Sequence, residues 1–174
     1  MKRRLMILDG SSLMFRAFYA LPLLNAPTGE YTNAVFGFAN MLMKLLQDHK
    51  PEGMVVAFDK SRHTFRTEMY AAYKGTRQET PPEFSPQVPL LREMLECWGI
   101  PFLEMDDYEA DDIIGTLAVK AAEAGEFETF IVTGDRDALQ LVRPSFSLRS
   151  AVFQIWRFLT KRLLKKSTDS RRFA

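Results

Sequence analysis

Short apolar runs that each end in an acid constrain this chain more than any other feature. Leu5-Met-Ile-Leu8 stops at Asp9-Gly10, Met54-Val-Val-Ala-Phe58 stops at Asp59, and Phe127 to Val132, with Glu128 and Thr129 inside it, leads into Thr133-Gly134-Asp135. A shorter run, Pro101-Phe-Leu-Glu-Met105, reaches Asp106-Asp107. Continuous apolar runs of this length are the pattern of strands buried on both faces of a parallel sheet. Helical periods lie between them: Ala34 to Leu46, Val88 to Trp98 and Ala110 to Ala124. Strands alternating with helices predict an α/β fold, an open, mostly parallel central sheet with flanking helices. Ligands of such sheets bind beyond the carboxyl ends of the strands. Asp9, Asp59 and Asp135 are therefore expected on one edge, and the acids of the stretch YEADDIIGT follow the fourth strand onto it.

The length of 174 residues suits one well-buried domain, and 47% apolar with 26% charged residues is an ordinary globular composition. The lone Cys97 has no partner for a disulfide and is expected as a buried free thiol, which fits a reducing cytosol. The basic start MKRRLMILDG has too few apolar residues before Asp9 for a signal peptide, and no run is long enough to span a membrane. The net charge of +1 hides a division. Residues 143–174 hold nine of the 23 Lys+Arg and one acid, Asp169, a net of +8, which leaves 14 basic and 21 acidic residues, a net of −7, in residues 1–142.

Glu109, Asp111 and Asp112 admit two readings. Acids are common in the first turn of a helix, where they complement the macrodipole. Asp135 and Asp137 likewise fit a turn and an N-cap ahead of Ala138 as well as they fit ligation. Seven carboxylates sharing one rim would instead raise one another's pKa, a conflict that a multivalent cation resolves. Asp9, Asp59, Glu109, Asp111, Asp112, Asp135 and Asp137 are the candidate metal ligands. All-oxygen ligation without His or Cys suits Mg²⁺ or Mn²⁺, and neither His49 nor His63 is near these residues in sequence. A pair of such ions about 3.5–4 Å apart serves phosphodiester cleavage. In a regular helix Glu109 and Asp112 share a face while Asp111 points elsewhere, so the three converge only if Glu109 still belongs to the preceding turn.

Residues 60–87 are an excursion between elements, basic and aromatic at first and then broken by Pro81, Pro82 and Pro86. Lys60, Arg62, Arg66, Lys74 and Arg77 alternate with Phe65, Tyr70 and Tyr73. Such a stretch is a solvated face or, over an acidic rim, a clamp that neutralises phosphates and stacks on unpaired bases. Arg16 falls on the first helix, seven residues after Asp9, as a surface residue or within reach of a phosphate.

Five stretches carry a resemblance: LMILDGSSLMFRAFYALP, NAVFGFANML, VVAFDKSRHTFRTEMYAAYKGTR, GIPFLEMDDYEADDIIGTLA and IVTGDRDALQLV. In this order, across residues 4–142, they resemble the N-terminal 5′ nuclease domains of bacterial DNA polymerases of type I, relatives of flap endonucleases in the PIN-like superfamily. The resemblance implies a PIN-like 5′ nuclease fold and metal-dependent 5′-3′ exonuclease or flap endonuclease action on DNA during primer removal and repair. It implies a first metal site at Asp9, Asp59, Glu109, Asp111 and Asp112, and part of a second at Asp135 and Asp137. It gives Arg16, Arg66, Tyr73, Lys74 and Arg77 to the DNA, the last four from a helical arch over residues 60–87, and makes Lys74 and Arg77 the catalytic cations.

The resembling stretches end at residue 142. The family continues into a helix-hairpin-helix with a GDxxDNxPGxxGxG-like stretch, which this sequence lacks; residues 143–174 read as a divergent basic tail, a shifted reading frame or an unrelated end. Within it Val152, Ile155, Trp156, Leu159 and Leu163 have helical spacing among Arg157, Lys161, Arg162 and Lys165, a basic amphipathic pattern. Two functions follow: a nuclease that uses Mg²⁺ or Mn²⁺, or a catalytically impaired DNA-binding fragment. A small PIN-type ribonuclease is a third reading. The expected setting is the bacterial cytoplasm at the nucleoid, with DNA 5′ ends or flaps as partner, no membrane, and a monomeric chain.

Overall fold

In the computed structural model the described residues are 2–60 and 79–135, together with the backbone of 146–148. Strand β1 (Arg3–Asp9) runs into helix α1 (Gly10–Ala20), followed by α2 (Asn33–His49) and β2 (Gly53–Ala57). After the segment at 61–78 come α3 (Gln87–Cys97), β3 (Phe102–Leu103), α4 (Ala110–Ala124), β4 (Phe127–Val132) and β5 (Phe146–Leu148). The five strands form one sheet in the order β3-β2-β1-β4-β5, and every pairing is parallel. The α/β expectation holds. The fourth apolar run yields only two strand residues, Phe102 and Leu103. The fifth strand is not expected from the pattern, and it lies within residues 143–174. The amphipathic pattern from Val152 to Lys165 lies outside the described residues.

The strand order dictates two helical layers of unequal thickness. Successive strand residues point to opposite faces. Met6 and Leu8 of β1, Val56 of β2, and Phe130 and Val132 of β4 enter the larger core with α1, α2 and α3. Ile7, Ala57 and Ile131, the alternate residues, pack with Ile113, Ile114 and Ala118 of α4 on the other face. Burial on both faces is why residues 5–8, 54–58 and 130–132 read as unbroken apolar runs rather than alternating ones.

Local signals set the helix ends. Asp9 caps α1 by accepting a hydrogen bond from Ser12 N at 2.9 Å, the usual service of an Asp at this position. Gly125 ends α4 in the left-handed region at φ 71°, where a glycine meets no Cβ penalty. Thr32, before α2, makes no side-chain cap. Its place is taken from another helix: Gln87, fully buried at the start of α3, accepts from Ala34 N at 2.8 Å. Gln87 also donates to Asn33 Oδ1 at 3.0 Å and to the Glu83 carbonyl at 2.9 Å, while Asn33 donates to the Phe18 carbonyl. Phe84, just before α3, stacks on Phe15 of α1 with ring centroids 4.1 Å apart.

Cys97 is exposed, against the expectation of a buried thiol. The buried stripe of α3 runs through Leu91 and Leu95, and Cys97 at the last turn falls off that stripe. Among the described residues no helix is long and apolar enough to cross a membrane.

Candidate functional site

The sheet order reverses between β1 and β4: the chain steps outward from β1 to β2 and β3, then crosses to β4 and β5. At such a reversal the loops beyond the two strands part in opposite directions and leave a crevice. Asp9, the last residue of β1, stands there at 4% exposure. Its Oδ1 accepts from Ser12 N, and its Oδ2 accepts from the Thr133 hydroxyl at 2.7 Å, across the reversal. Thr133 in turn accepts from Asp135 N at 3.0 Å, a short turn that carries Asp135 out of β4.

Two close approaches make this arrangement possible. A Cβ on Gly10 would lie 2.5 Å from Phe58 Cε1 and 2.7 Å from Val56 Cγ1, so only glycine lets α1 start directly against β2. A Cβ on Gly134 would lie 2.6 Å from Arg16 Nε and 2.7 Å from Ser12 Oγ. Arg16 donates to the Gly134 carbonyl at 2.9 Å, and Gly134 N donates to Ser12 Oγ at 3.1 Å. Arg16 therefore braces the turn after β4.

Asp59 follows β2 and is exposed, and it joins two helix starts. Its backbone N–H donates to Ser11 Oγ of α1 at 3.0 Å, and its Oδ1 accepts from Ala110 N of α4 at 2.8 Å. Glu109 precedes α4 in extended conformation, φ −90° and ψ 160°, so it belongs to the preceding turn, as convergence required. Glu109 and Asp112 nevertheless form a capping box: each side chain accepts from the other's backbone N–H, that of Glu109 to Asp112 Oδ2 at 3.1 Å. The helix-start reading of these two acids is thus realised in the structure. Asp111, on the first turn of α4, is close enough to act electrostatically on Asp9.

Burial pushes the Asp9 carboxyl up from 3.8 to about 6. The Ser12 N–H and the Thr133 hydroxyl pull it back down, and the negative charges of Asp111 and Asp59 add to the rise. Asp59 at the end of β2 and Asp111 on α4 are therefore both close enough to raise the carboxyl of Asp9 at the crevice. The chemistry of the three carboxylates fits a hard divalent cation: oxygen donors only, in excess negative charge, with one of them buried at a cost. Each carboxylate has about four lone-pair sites, so one or two accepted hydrogen bonds leave room for a ligand. The fit is one of donor type and charge. Among the described residues no three His, Cys, Asp or Glu side chains are drawn together as a finished ligand set.

Of the seven acids expected on the rim, six are described. Asp59 and Asp111 come within electrostatic reach of Asp9, Glu109 and Asp112 bond to each other, and Asp135 hangs from Thr133. Asp137, Arg66, Tyr73, Lys74 and Arg77, with most of the expected arch, lie outside the described residues. Lys60 at its near end pairs with Asp106 at 2.7 Å. Strand and helix periods do not point to Ser11, Ser12, Thr133 and Gly134, all of which touch the acids or the turn that carries them. Their signal in the sequence is the placing of polar and small residues directly after the strand-terminal acid of β1 and directly before that of β4.

A family described as the 5′-3′ exonuclease N-terminal resolvase-like domain matches residues 4–168, past residue 142 and through β5. DNA polymerase I of Bacillus caldotenax is 54% identical over 144 residues, 83% of this chain and 16% of that protein. DNA polymerase I of Bacillus subtilis is 53% identical over 140 residues, 80% of this chain and 16% of that protein. For DNA polymerase I of Mycobacterium bovis the figures are 46% over 170 residues, 95% of this chain and 19% of that protein. The chain thus spans less than a fifth of the length of these relatives. In fold it is similar to a bacteriophage T5 flap endonuclease in a complex with DNA and metal ions, with a TM-score of 0.66 at 22% identity over 83% of this chain and 54% of that one. It is also similar to a T5 5′-exonuclease with bound zinc, with a TM-score of 0.59 at 20% identity over 83% of this chain and 54% of that one. The strand-terminal acids at a sheet reversal thus coincide with a family match over most of the sequence, and the chain belongs to the 5′-3′ exonuclease N-terminal resolvase-like domain family.

Proposed function

We propose that this chain is the catalytic half of a divalent-metal-dependent 5′ nuclease that removes nucleotides from DNA 5′ ends and cuts 5′ flaps. The observation that carries the reading is that Asp59 and Asp111 both lie within electrostatic reach of Asp9 at the β1–β4 reversal, with Asp9 buried although charge is costly there. In this reading Asp9, Asp59, Glu109, Asp111 and Asp112 hold one cation, Mg²⁺ or Mn²⁺, and Asp135 and Asp137 contribute to a second. A bound divalent cation supplies Lewis acidity and an activated water for attack at phosphorus.

The chain's own residues do the rest. Asp9 fixes the position of the charge, because its two oxygens are held by Ser12 N and Thr133. Asp59 ties the start of α4 to the rim through Ala110 N. Lys74 and Arg77 orient the scissile phosphate, and Arg66 and Tyr73 hold the unpaired strand. Arg16 serves the DNA by bracing the β4 turn through the Gly134 carbonyl, with its remaining N–H groups available to a phosphate. The partner is DNA with a 5′ end or flap, met by a monomer in the bacterial cytoplasm at the nucleoid.

Incubation of the chain with a labelled 5′-flap DNA, in Mg²⁺, Mn²⁺ or EDTA, tests this. The expected result is cleavage that requires the cation and disappears in Asp9→Asn. A second reading, a DNA-binding fragment without turnover, is favoured by the capping box that engages Glu109 and Asp112 with backbone N–H groups. Metal-independent DNA binding with no cleavage in either cation would establish that reading and remove the first.

A further inference from the structure

The ladders of β1 with β2 and β4 end just short of Asp59 and of the turn that carries Asp135. The ladder between β1 and β2 ends at Asp9↔Ala57, and that between β1 and β4 ends at Leu8↔Val132. N–H groups that face one neighbouring strand recur every second residue. Two residues beyond Ala57 is Asp59, and two beyond Val132 is Gly134. On the side where β1 would continue, β1 has already turned into α1. Both N–H groups find serines there: Asp59 N donates to Ser11 Oγ at 3.0 Å, and Gly134 N donates to Ser12 Oγ at 3.1 Å. Ser12 spends its own N–H on Asp9 Oδ1, so one residue joins the buried acid to the β4 turn. The first turn of α1 thus prolongs the ladder by one rung on each side of β1.

We infer that Ser11 and Ser12 are positioning residues of the nuclease site, Ser11 for Asp59 and Ser12 for the 133–135 turn, each set relative to Asp9. This rests on the metal-dependent nuclease reading above for its consequence, though not for the hydrogen bonds themselves. The division of labour is specific. Loss of the Ser11 hydroxyl frees Asp59 from α1 while Ala110 still holds its carboxylate. Loss of the Ser12 hydroxyl frees Gly134 N while Arg16 still holds its carbonyl. Neither substitution touches the Ser12 N–H that caps onto Asp9. Groups that orient metal ligands in this indirect way commonly govern affinity by about ten- to a hundredfold.

The test compares the full chain with Ser11→Ala, Ser12→Ala and the hydroxyl-retaining Ser11→Thr and Ser12→Thr, using amide hydrogen exchange by NMR without metal and Mn²⁺ uptake by calorimetry. Ser11→Ala is expected to speed exchange of the Asp59 amide at least about tenfold and leave the Gly134 amide unchanged, with the converse for Ser12→Ala. Mn²⁺ affinity is expected to fall about ten- to a hundredfold in each Ala variant and to return to within about threefold in the Thr variants. Unchanged exchange at both amides, or acceleration spread equally over both, overturns the inference. So does selective exchange with Mn²⁺ affinity identical in parent and Ala variants, because the hydroxyls would then only support the fold. A parent chain that takes up no Mn²⁺ sinks the nuclease reading instead, and the exchange pattern alone then decides whether the two hydroxyls hold their loops.

Discussion

Replacing Asp9 with Asn should stabilise the metal-free protein and abolish its activity. Asp9 titrates near 6 in the fold against an ordinary 3.8, chiefly because it is buried. A raised folded pKa means that the native state favours the protonated acid. The corresponding stability is fully present below about pH 3.8 and is lost as pH rises through about 6. Above that point the charged carboxylate costs the fold about 3 kcal/mol, since each tenfold change in proton affinity is worth about 1.4 kcal/mol. Asn removes the charge, still accepts from Ser12 N as an N-cap, and can donate to the Thr133 oxygen. Urea unfolding at pH 8 in EDTA should therefore move to higher denaturant in Asp9→Asn, by roughly 1–1.5 M. By pH 5 the advantage should shrink to about half, as the native carboxyl of the parent takes up its proton. Added Mg²⁺ or Mn²⁺ should stabilise the parent and leave the variant where it was. A variant less stable than the parent at pH 8 in EDTA, or one whose advantage does not change by pH 5, would refute the reasoning.

Gly134→Ala places a methyl 2.6 Å from Arg16 Nε, and the flexible guanidinium should swing away from the Gly134 carbonyl; cleavage should drop by tenfold or more while the melting temperature falls only a few degrees, as calorimetry and a flap assay would show. Gln87→Leu leaves Ala34 N, Asn33 and the Glu83 carbonyl without their buried partner, and should cost about 3 kcal/mol by denaturant unfolding, against under 1 kcal/mol for a surface change such as Asn40→Ala. Leu91→Ala empties a fully buried position on α3 and should cost about 2–5 kcal/mol by the same measurement.

Segments whose apolar residues keep a regular strand or helix spacing are the most legible part of the sequence. Phe127–Val132 and Ala110–Ala124 occur at the expected limits, because a strand buried on both faces and a helix with one apolar stripe each leave a plain pattern. The β3 run promises more strand than forms: Phe102 and Leu103 pair at the edge of the sheet, where one neighbour and partial burial ask for little regularity. Strand β5 leaves no mark in the pattern because its three residues offer no period to count. At the site, the sequence indicates which acids end strands and leaves open whether Glu109 is helical; its extended backbone resolves that. It does not disclose that Arg16 reaches Gly134 or that Gln87 caps α2, since a single long side chain crossing between elements leaves no periodic trace. Cys97 shows the converse error, in which an apolar neighbourhood in sequence is not one in space.

The unequal layers of the sheet bear on how this domain fails. Three helices cover one face, while among the described residues α4 alone covers the other, through a handful of small and branched side chains. The same helix begins at Ala110, whose N–H grips Asp59, and carries Asp111 and Asp112 in its opening turn. Mild heating or denaturant that peels off this one cylinder would scatter the anionic rim long before the thicker side melts, so inactivation should run ahead of global unfolding. Ions that gather the rim would, by the same coupling, act as a rivet for the frailest flank of the molecule.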